Sequence, residues 1–258
     1  SFRILDIADL TTDGCFVLGM CVSIVCTLNN HPLLGIFMGM VSGGLAGLVT
    51  ALLQTKLGVP SILAGIITNT ALYTINLMVM GFSSNISILR NKTIFNGNKL
   101  LLLVLIVVVA MILLRYFLST RLGLSIRATG DNIDMVSASS INPKACILIG
   151  LVMSNMLTGL GGALAGQLQK SADINAGNGI VTIGLATLII GETVINGKKS
   201  ITRNIIACLI GNIIYRLIYA FILQTHIIPI ECLKLMTALI ITLAIALPYL
   251  KDRKKALC

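Results

Sequence analysis

Eight long apolar runs occupy most of this 258-residue chain and leave short polar segments between them. A helix of about 20 apolar residues, rising 1.5 Å per residue, crosses the ~30 Å hydrocarbon layer of a membrane. The runs are continuous rather than alternating, which favours helices over the strands of a barrel. They fall at 14–30, 33–55, 60–81, 99–118, 144–168, 180–196, 204–224 and 231–250. The sequence therefore predicts an all-α, polytopic transmembrane bundle with about eight spans, of which the short first and sixth are expected to be tilted or interrupted.

The composition excludes several other classes of protein. Only 11% of the residues are charged and 56% are hydrophobic, whereas soluble domains carry about 25% charged residues. So few charged groups could not cover the surface of a soluble body of this size. A soluble enzyme, a disordered protein and a nucleic-acid binder are therefore excluded, although the formal net charge is +10.

The positions of Lys and Arg predict the orientation of the spans. If the runs cross in alternate directions, thirteen of these residues lie on one side and four on the other. Since cytoplasmic loops carry the excess of positive charge, both chain ends and the loop 119–143 are expected in the cytoplasm. The loop 82–99, with three positive residues, fits this assignment least well.

Small residues form two ladders at a spacing of four. The first contains Gly35, Gly39, Gly43 and Gly47, and the second contains Gly150, Ser154, Thr158, Gly162 and Gly166. Such stripes let helix backbones approach closely in lipid, so they predict helix packing within the chain, with a subunit interface as the less favoured alternative.

The segments around these ladders also indicate an inverted repeat. Gly43–Gly47 is similar to Gly161–Gly166, and about twenty residues later Leu63–Ile67 is similar to Leu185–Gly191. Three spans separate the copies, which would therefore cross the membrane in opposite directions, as in many transporters. Chance similarity between segments rich in Gly, Ala and Leu remains the alternative.

Polar residues inside the spans are the candidates for a permeation path or gate. Glu192 and Arg216 are the ionisable ones, and an ion pair that fixes helix register is favoured over a gating role for them. The uncharged candidates, which either line a path or hydrogen-bond between helices, are Asn69, Asn76, Asn155 and Thr158.

No catalytic, metal or nucleotide site is expected in this chain. The segment 191–200 has five residues between its two glycines where a phosphate-binding loop needs four, so a basic turn is the favoured interpretation. The seven cysteines and two histidines show no metal-ligand spacing. If ATP and Mg drive the protein, another chain must bind them.

The loop 119–143 has the features of a docking element. Asp131 or Asn132 is expected to cap a short helix, at about 131–141, with Ile133, Val136 and Ile141 on one apolar side. Docking to a soluble partner is one interpretation, and a connector lying on the membrane surface is the other.

This loop resembles the coupling loop of ABC importer permeases of the branched-chain amino-acid and ribose type. The pattern is carried by Arg121, Gly123, Arg127, Ala128, Gly130, Asn132, Ala138, Ile141 and Asn142. Phe2–Gly14 and Gly184–Glu192 resemble more narrowly a branch of amino-acid (tryptophan or tyrosine) permeases.

The resemblance implies a single permease domain over 1–258, with one further spanning helix before residue 1, in a bacterial plasma membrane. Its partners would be a second, identical permease subunit, two ATPase subunits that hold ATP and Mg, and an extracytoplasmic substrate-binding lipoprotein. The residues implied in ATPase coupling are Arg127, Gly130, Asp131, Asn132, Ile133, Val136, Ala138 and Ile141.

The expected function is therefore the uptake of a small solute, an amino acid, by alternating access. A nucleoside or sugar importer of the same family is the alternative. An ion-driven secondary transporter would need acidic residues deep in several spans, and only Glu192 qualifies even in part.

Overall fold

A computed structural model of the chain describes residues 2–89, 91, 93–96, 98–195 and 201–224, together with positions 238 and 242. The helices are α1 (Phe2–Leu5), α2 (Thr12–Leu28), α3 (Pro32–Leu57), α4 (Ser61–Val79), α5 (Lys99–Ser119), α6 (Arg121–Asp131), α7 (Ile133–Ala138), α8 (Pro143–Gln169), α9 (Ile180–Ile195) and α10 (Ile201–Gln224). The antiparallel pair β1 (Asn85–Ser87) and β2 (Ser171–Asp173) and a 3-10 turn at Ile94–Asn96 complete the described elements. The chain divides into two compact units, Ser1–Asn178 and Gly179–Cys258.

Within this description, five helices are long and apolar enough to cross a membrane: α3, α4, α5, α8 and α10. Two shorter apolar helices, α2 and α9, have 17 and 16 residues and coincide with the short first and sixth runs. The eighth run, 231–250, lies outside the described residues apart from two positions. The structure thus confirms that the chain is a helical protein with several candidate membrane spans, while the count of eight spans stays a prediction.

Prolines and a polar cap mark several helix starts. Pro32 and Pro143 occupy the first turn of α3 and α8, and Pro60 directly precedes α4. A missing backbone N–H costs little at these positions. The side-chain oxygen of Asn142 also accepts hydrogen bonds from the backbone N–H groups of Lys144 (3.0 Å) and Ala145 (3.4 Å), which fixes the start of α8.

Three helices, α2, α3 and α8, form the centre of the first unit. A Cβ placed on Gly39 would lie 2.8 Å from the Cβ of Ala163, and one placed on Gly47 would lie 2.9 Å from the carbonyl oxygen of Leu151. The later residue of α3 thus meets the earlier residue of α8, which means that these two helices run antiparallel. Gly35, at the start of the ladder, meets the carbonyl oxygen of Ser23 on α2 instead. The first ladder therefore lies in helix contacts within the chain.

The last two residues of the second ladder, Gly162 and Gly166, face α2. Gly162 has no room for a side chain beside the carbonyl oxygen of Phe16, and Gly166 packs on Met20. Both of these contacts are with α2. Several residues of α8 that contact α3, such as Gly159, follow a ladder residue by one position. The antiparallel course of α3 and α8 agrees with the opposite crossings expected of the repeat, and the repeat itself stays a prediction.

In the second unit, α9 and α10 pack through small residues. A side chain at Gly191 would collide with the carbonyl oxygen of Ala207. Glu192 is therefore nearly level with Ala207, and Arg216 stands nine residues farther along α10, or ~14 Å of helix rise. A direct ion pair would need both side chains extended towards each other, so the pair between Glu192 and Arg216 stays a prediction.

Candidate functional site

The backbone between α1 and α2 is not helical, although it lies among helices. Helix α1 ends at Leu5, Asp6 has a φ of +53°, and α2 begins only at Thr12. Asp9 and Thr11, within this interruption, are 6% and 0% exposed. Buried backbone outside a helix must find its hydrogen-bond partners in the surrounding protein. The interruption therefore depends on the side chains around it.

Four of these side chains form a cluster that we call the polar junction: Asp9, Thr11, Thr50 and Asn155. The Asp9 carboxylate accepts a 2.9 Å hydrogen bond from the backbone N–H of Thr11 and a 2.7 Å hydrogen bond from the Asn155 amide. The hydroxyls of Thr11 and Thr50 lie 2.9 Å apart. The carboxylate also stands at the amino end of α2, where the helix dipole stabilises negative charge. The junction thus joins α2, α3 and α8 through polar contacts at the place where the helix is interrupted.

Two more of the predicted path residues lie beside the first turn of α2. The side-chain amide of Asn76 donates to the backbone carbonyl oxygen of Gly14 at 3.4 Å. The side-chain oxygen of Asn69 would lie 2.6 Å from a Cβ placed on Gly14. Asn69, Asn76 and Asn155 are thus gathered around the start of one helix. Thr158 is bonded within α8 instead, to the carbonyl oxygen of Ser154 at 3.1 Å.

Asp9 is a buried residue that the sequence analysis does not single out. It lies just before the first apolar run, where an acid is expected to face water. The one sequence feature that points to Asp9 is an acidic residue among apolar and Thr residues in the segment Ile7–Thr12. This feature indicates a buried acid only when the segment is known to lie inside the helix bundle.

A second buried polar contact holds the opposite end of the first unit. Gln167, near the end of α8, is fully buried. Its side-chain amide donates to the hydroxyl of Ser23 at 3.0 Å and to the carbonyl oxygen of Pro32 at 2.7 Å. Its oxygen accepts a 3.4 Å hydrogen bond from the backbone N–H of Ile94. Gln167 therefore ties α2, α3 and the loop before α5 to the end of α8 that precedes β2.

The loop 119–143 folds into two short helices rather than one. Thr120 caps α6 through the backbone N–H of Gly123 (3.3 Å), and Asn132 caps α7 through the backbone N–H of Met135 (3.0 Å). The expected helix at about 131–141 is thus shorter, at Ile133–Ala138, and the alternative cap, Asp131, is instead the last residue of α6. Helix α6 itself is not foreseen from the sequence.

The sequence predicts that Ile133, Val136 and Ile141 lie on one apolar side of the loop helix, whereas in the structure their burial differs. Val136 is 2% exposed, and Ile141 packs beside the buried cluster of Leu5, Ile126 and Cys146. These contacts turn Val136 and Ile141 towards the bundle. Ile133 and Met135, also on α7, are 52% and 64% exposed. The remaining predicted coupling residues differ in burial: Arg127 and Gly130 are partly buried, while Asp131, Asn132 and Ala138 are exposed.

Helix α6 rests directly on α1. Gly130 lies so close to the carbonyl oxygen of Ile4 that any side chain at this position would collide with it. Leu5 also reaches α8, where its side chain would lie 2.5 Å from a Cβ placed on Gly150. Close backbone packing and a shared apolar cluster therefore link α6 to the short helix before the interruption.

An apolar groove of about 210 Å³ lies between α5 and α8. Its walls include Val107, Met111, Leu157 and Leu160. These side chains offer no hydrogen-bonding group to a polar solute. The groove therefore does not have the lining expected of a path for an amino acid or a sugar.

Comparisons with known proteins agree on one family. A family model described as "Branched-chain amino acid transport system / permease component" matches residues 1–245. The chain is 33% identical over 244 residues to the tyrosine transport system permease protein of Clostridioides difficile (strain R20291), covering 93% of this chain and 82% of that protein. It is 32% identical over 254 residues to an uncharacterised protein of Rickettsia prowazekii (strain Madrid E), covering 95% and 89%.

A shorter match is to the D-allose transport system permease protein AlsC of Escherichia coli (strain K12), with 35% identity over 104 residues, 40% of this chain and 31% of that protein. No solved structure matches the chain. The family model covers nearly the whole sequence, and the first relative covers almost as much. This chain therefore belongs to the family of branched-chain amino-acid and ribose-type permeases of ABC transporters.

Proposed function

We propose that this chain is the translocating subunit of an ATP-driven importer that moves an amino acid across a bacterial plasma membrane by alternating access. The family supports the permease role, and the tyrosine permease among its relatives supports the substrate class. The structural observation that carries the proposal is the α6–α7 loop. It is anchored to the bundle by buried side chains and also carries exposed apolar side chains.

The exposed side of this loop suits contact with another protein. Ile133 and Met135 on α7 and Leu122 and Leu124 on α6 are all more than half exposed. Large exposed apolar side chains outside the spanning segments are typical of an interaction surface. We propose ATPase subunits holding ATP and Mg as the partners, and we place the loop and both chain ends in the cytoplasm because of the excess of Lys and Arg there.

The solute path is proposed to pass the start of α2. Asn69, Asn76 and Asn155 supply uncharged hydrogen-bonding groups around that helix end, while Glu192 and Arg216 are gate candidates in the second unit. A second, identical permease subunit would complete the path. An extracytoplasmic binding lipoprotein would deliver the solute and supply most of the selectivity.

Co-purification tests the docking role of the loop. The chain is expressed together with candidate ABC ATPase subunits from the same genome, and one of these is expected to co-purify with it. The double substitution Ile133→Asp/Met135→Asp is expected to abolish this association, because two charges replace the apolar contact. Leu89→Asp, at a 74% exposed position outside α6 and α7, is the matched control and is expected to retain the ATPase. Equal retention in both variants would contradict the docking role.

Uptake by reconstituted vesicles tests the reaction and its substrate. Vesicles that hold the complete complex and the binding protein are expected to accumulate labelled tyrosine only with ATP inside, and to continue when ion gradients are collapsed. Uptake driven by an ion gradient without ATP would exclude the proposal.

A sugar is the second candidate substrate, because the D-allose permease AlsC matches 40% of the chain. Labelled D-allose in the same vesicles distinguishes the two. Accumulation of D-allose and not of tyrosine would show that the transported solute is a sugar.

A further inference from the structure

The interruption before α2 contacts three helices of the first unit, α3, α4 and α8. Asp9 is bonded to Asn155 on α8, and Thr11 to Thr50 on α3. On α4, a Cβ placed on Gly65 would lie 2.9 Å from the backbone nitrogen of Leu10. A six-residue stretch, Asp6–Thr11, is therefore held by three helices that are distant in sequence.

The other end of the same stretch is attached to the α6–α7 loop. Gly130 of α6 packs against the carbonyl oxygen of Ile4, and Leu5 shares a cluster with Ile126 of α6. Only the stretch from Asp6 to Thr11 separates this contact from the start of α2. A displacement of α6 would therefore reach the interruption through α1 alone.

Asp9 is the residue best placed to carry that displacement into the bundle. Both of its carboxylate oxygens have donors, one on the stretch itself and one on α8. Hydrogen bonds to an ionised group are stronger than those between neutral groups, and breaking a buried one costs more than breaking an exposed one. Non-helical backbone has no internal hydrogen-bond ladder, so side-chain anchors decide its position.

We infer that Asp9 is a positioning residue for energy coupling, which ties the interrupted segment to Asn155 so that movement of the α6–α7 loop is transmitted to the helices around the proposed path. This inference rests on the proposed function and deepens it. It assigns to Asp9 neither contact with the solute nor contact with the ATPase.

The decisive variants are Asp9→Asn, Asn155→Asp and their combination. Asp9→Asn keeps the shape of the side chain but can accept from only one of the two donors. Asn155→Asp places two carboxylates face to face. In the combined variant, the amide introduced at position 9 donates to the carboxylate introduced at position 155 and still accepts from the backbone N–H of Thr11. Both variants with Asp at position 155 lose the 3.1 Å hydrogen bond that the Asn155 amide donates to the carbonyl oxygen of Leu151. Asp6→Asn, the same change at an exposed position of the same stretch, is the matched control.

Transport coupling is the first readout. In the assembled complex, each single variant is expected to retain ATP hydrolysis and to lower the solute transported per ATP by about tenfold, the factor that corresponds to ~1.4 kcal/mol. The combined variant is expected to recover part of this ratio, because it restores the contact between positions 9 and 155 but not the bond to Leu151. Asp6→Asn is expected to match the wild type. A parallel loss of assembly, hydrolysis and uptake without recovery in the combined variant would overturn the inference, because it would mark a merely structural role.

Hydrogen exchange of the purified chain is the second readout and needs no transport. Asp9→Asn is expected to speed exchange of the backbone N–H of Thr11, and the combined variant to slow it again. Unchanged exchange in Asp9→Asn would refute the anchor. If the wild-type complex shows no ATP-dependent uptake while the exchange results hold, the proposed function fails and the coupling role of Asp9 fails with it, whereas the anchor itself is retained.

Discussion

Gly43 of α3 and Gly159 of α8 pack backbone against backbone. A Cβ placed on Gly43 would lie 2.9 Å from the Cα of Gly159 and 2.5 Å from the carbonyl oxygen of Asn155. This contact stands one turn from the polar junction, so the close approach of the two helices also decides where Asn155 lies. The helix packing and the proposed coupling residue thus depend on the same interface.

Gly43→Ala is expected to destabilise the protein. The added methyl group must push α3 away from α8, and overpacking of this kind costs about 1–3 kcal/mol. Gly161→Ala is the matched control, because no atom lies within 4 Å of the added Cβ. The free energy of unfolding in mild detergent is the measurement. A Gly43→Ala variant as stable as Gly161→Ala would contradict tight packing at this contact.

Gln167→Leu is expected to lower the free energy of unfolding by about 1–3 kcal/mol. The substitution keeps the side-chain size but removes three hydrogen bonds, and a buried polar group left without a partner costs an amount of that order. Gln169→Leu, the same change at an exposed position two residues away, is the control. Thermal unfolding compares the two, and equal midpoints would show that Gln167 does not stabilise this end.

Asn132→Ala is expected to weaken binding of the ATPase about fivefold. Loss of a helix cap costs ~1 kcal/mol, and here it loosens α7, which presents Ile133 and Met135. The control is Asn98→Ala, because Asn98 precedes α5 without a side-chain cap bond. Titration of the ATPase against the purified permease measures the effect. An unchanged affinity would mean that α7 is not the contact.

Gly130→Leu is expected to reduce the solute transported per ATP by about tenfold while membrane insertion continues. The new side chain must displace α1 from α6, and coupling between sites is typically worth 1–3 kcal/mol. The same substitution at Gly184, where no atom lies within 4 Å of an added Cβ, is the control. Uptake and ATP hydrolysis are measured together in vesicles. Normal uptake by the Gly130→Leu variant would contradict a coupling role for this contact.

Much of the fold follows from the sequence because membrane helices are set by local quantities. Run length against bilayer thickness predicts α3, α4, α5 and α8 within a few residues, and Pro32, Pro60 and Pro143 mark starts that the structure also shows. The cap at Asn132 is equally local, since it needs only an amide three residues before a backbone N–H.

The loop 119–143 shows where local pattern becomes insufficient. Its polar composition obscures α6, whose buried side is Gly123, Ile126 and Thr129. A pattern of two small residues and one isoleucine does not indicate an apolar stripe. The burial of Val136 depends likewise on where α7 sits against the bundle, and a helical projection alone does not provide that.

Length, hydropathy and family pattern suffice to identify a polytopic helical permease, because each is a property of residues read in order along the chain. The burial of Asp9 as an anchor, in place of the exposed acid that its position suggests, follows from the packing of the helices. Its partner Asn155 is 146 residues away, and burial is created by helices that meet in three dimensions. A buried carboxylate destabilises the fold when it has no hydrogen-bond donors and anchors the backbone when it has them. The position of Asp9 in the sequence does not specify which donors surround it.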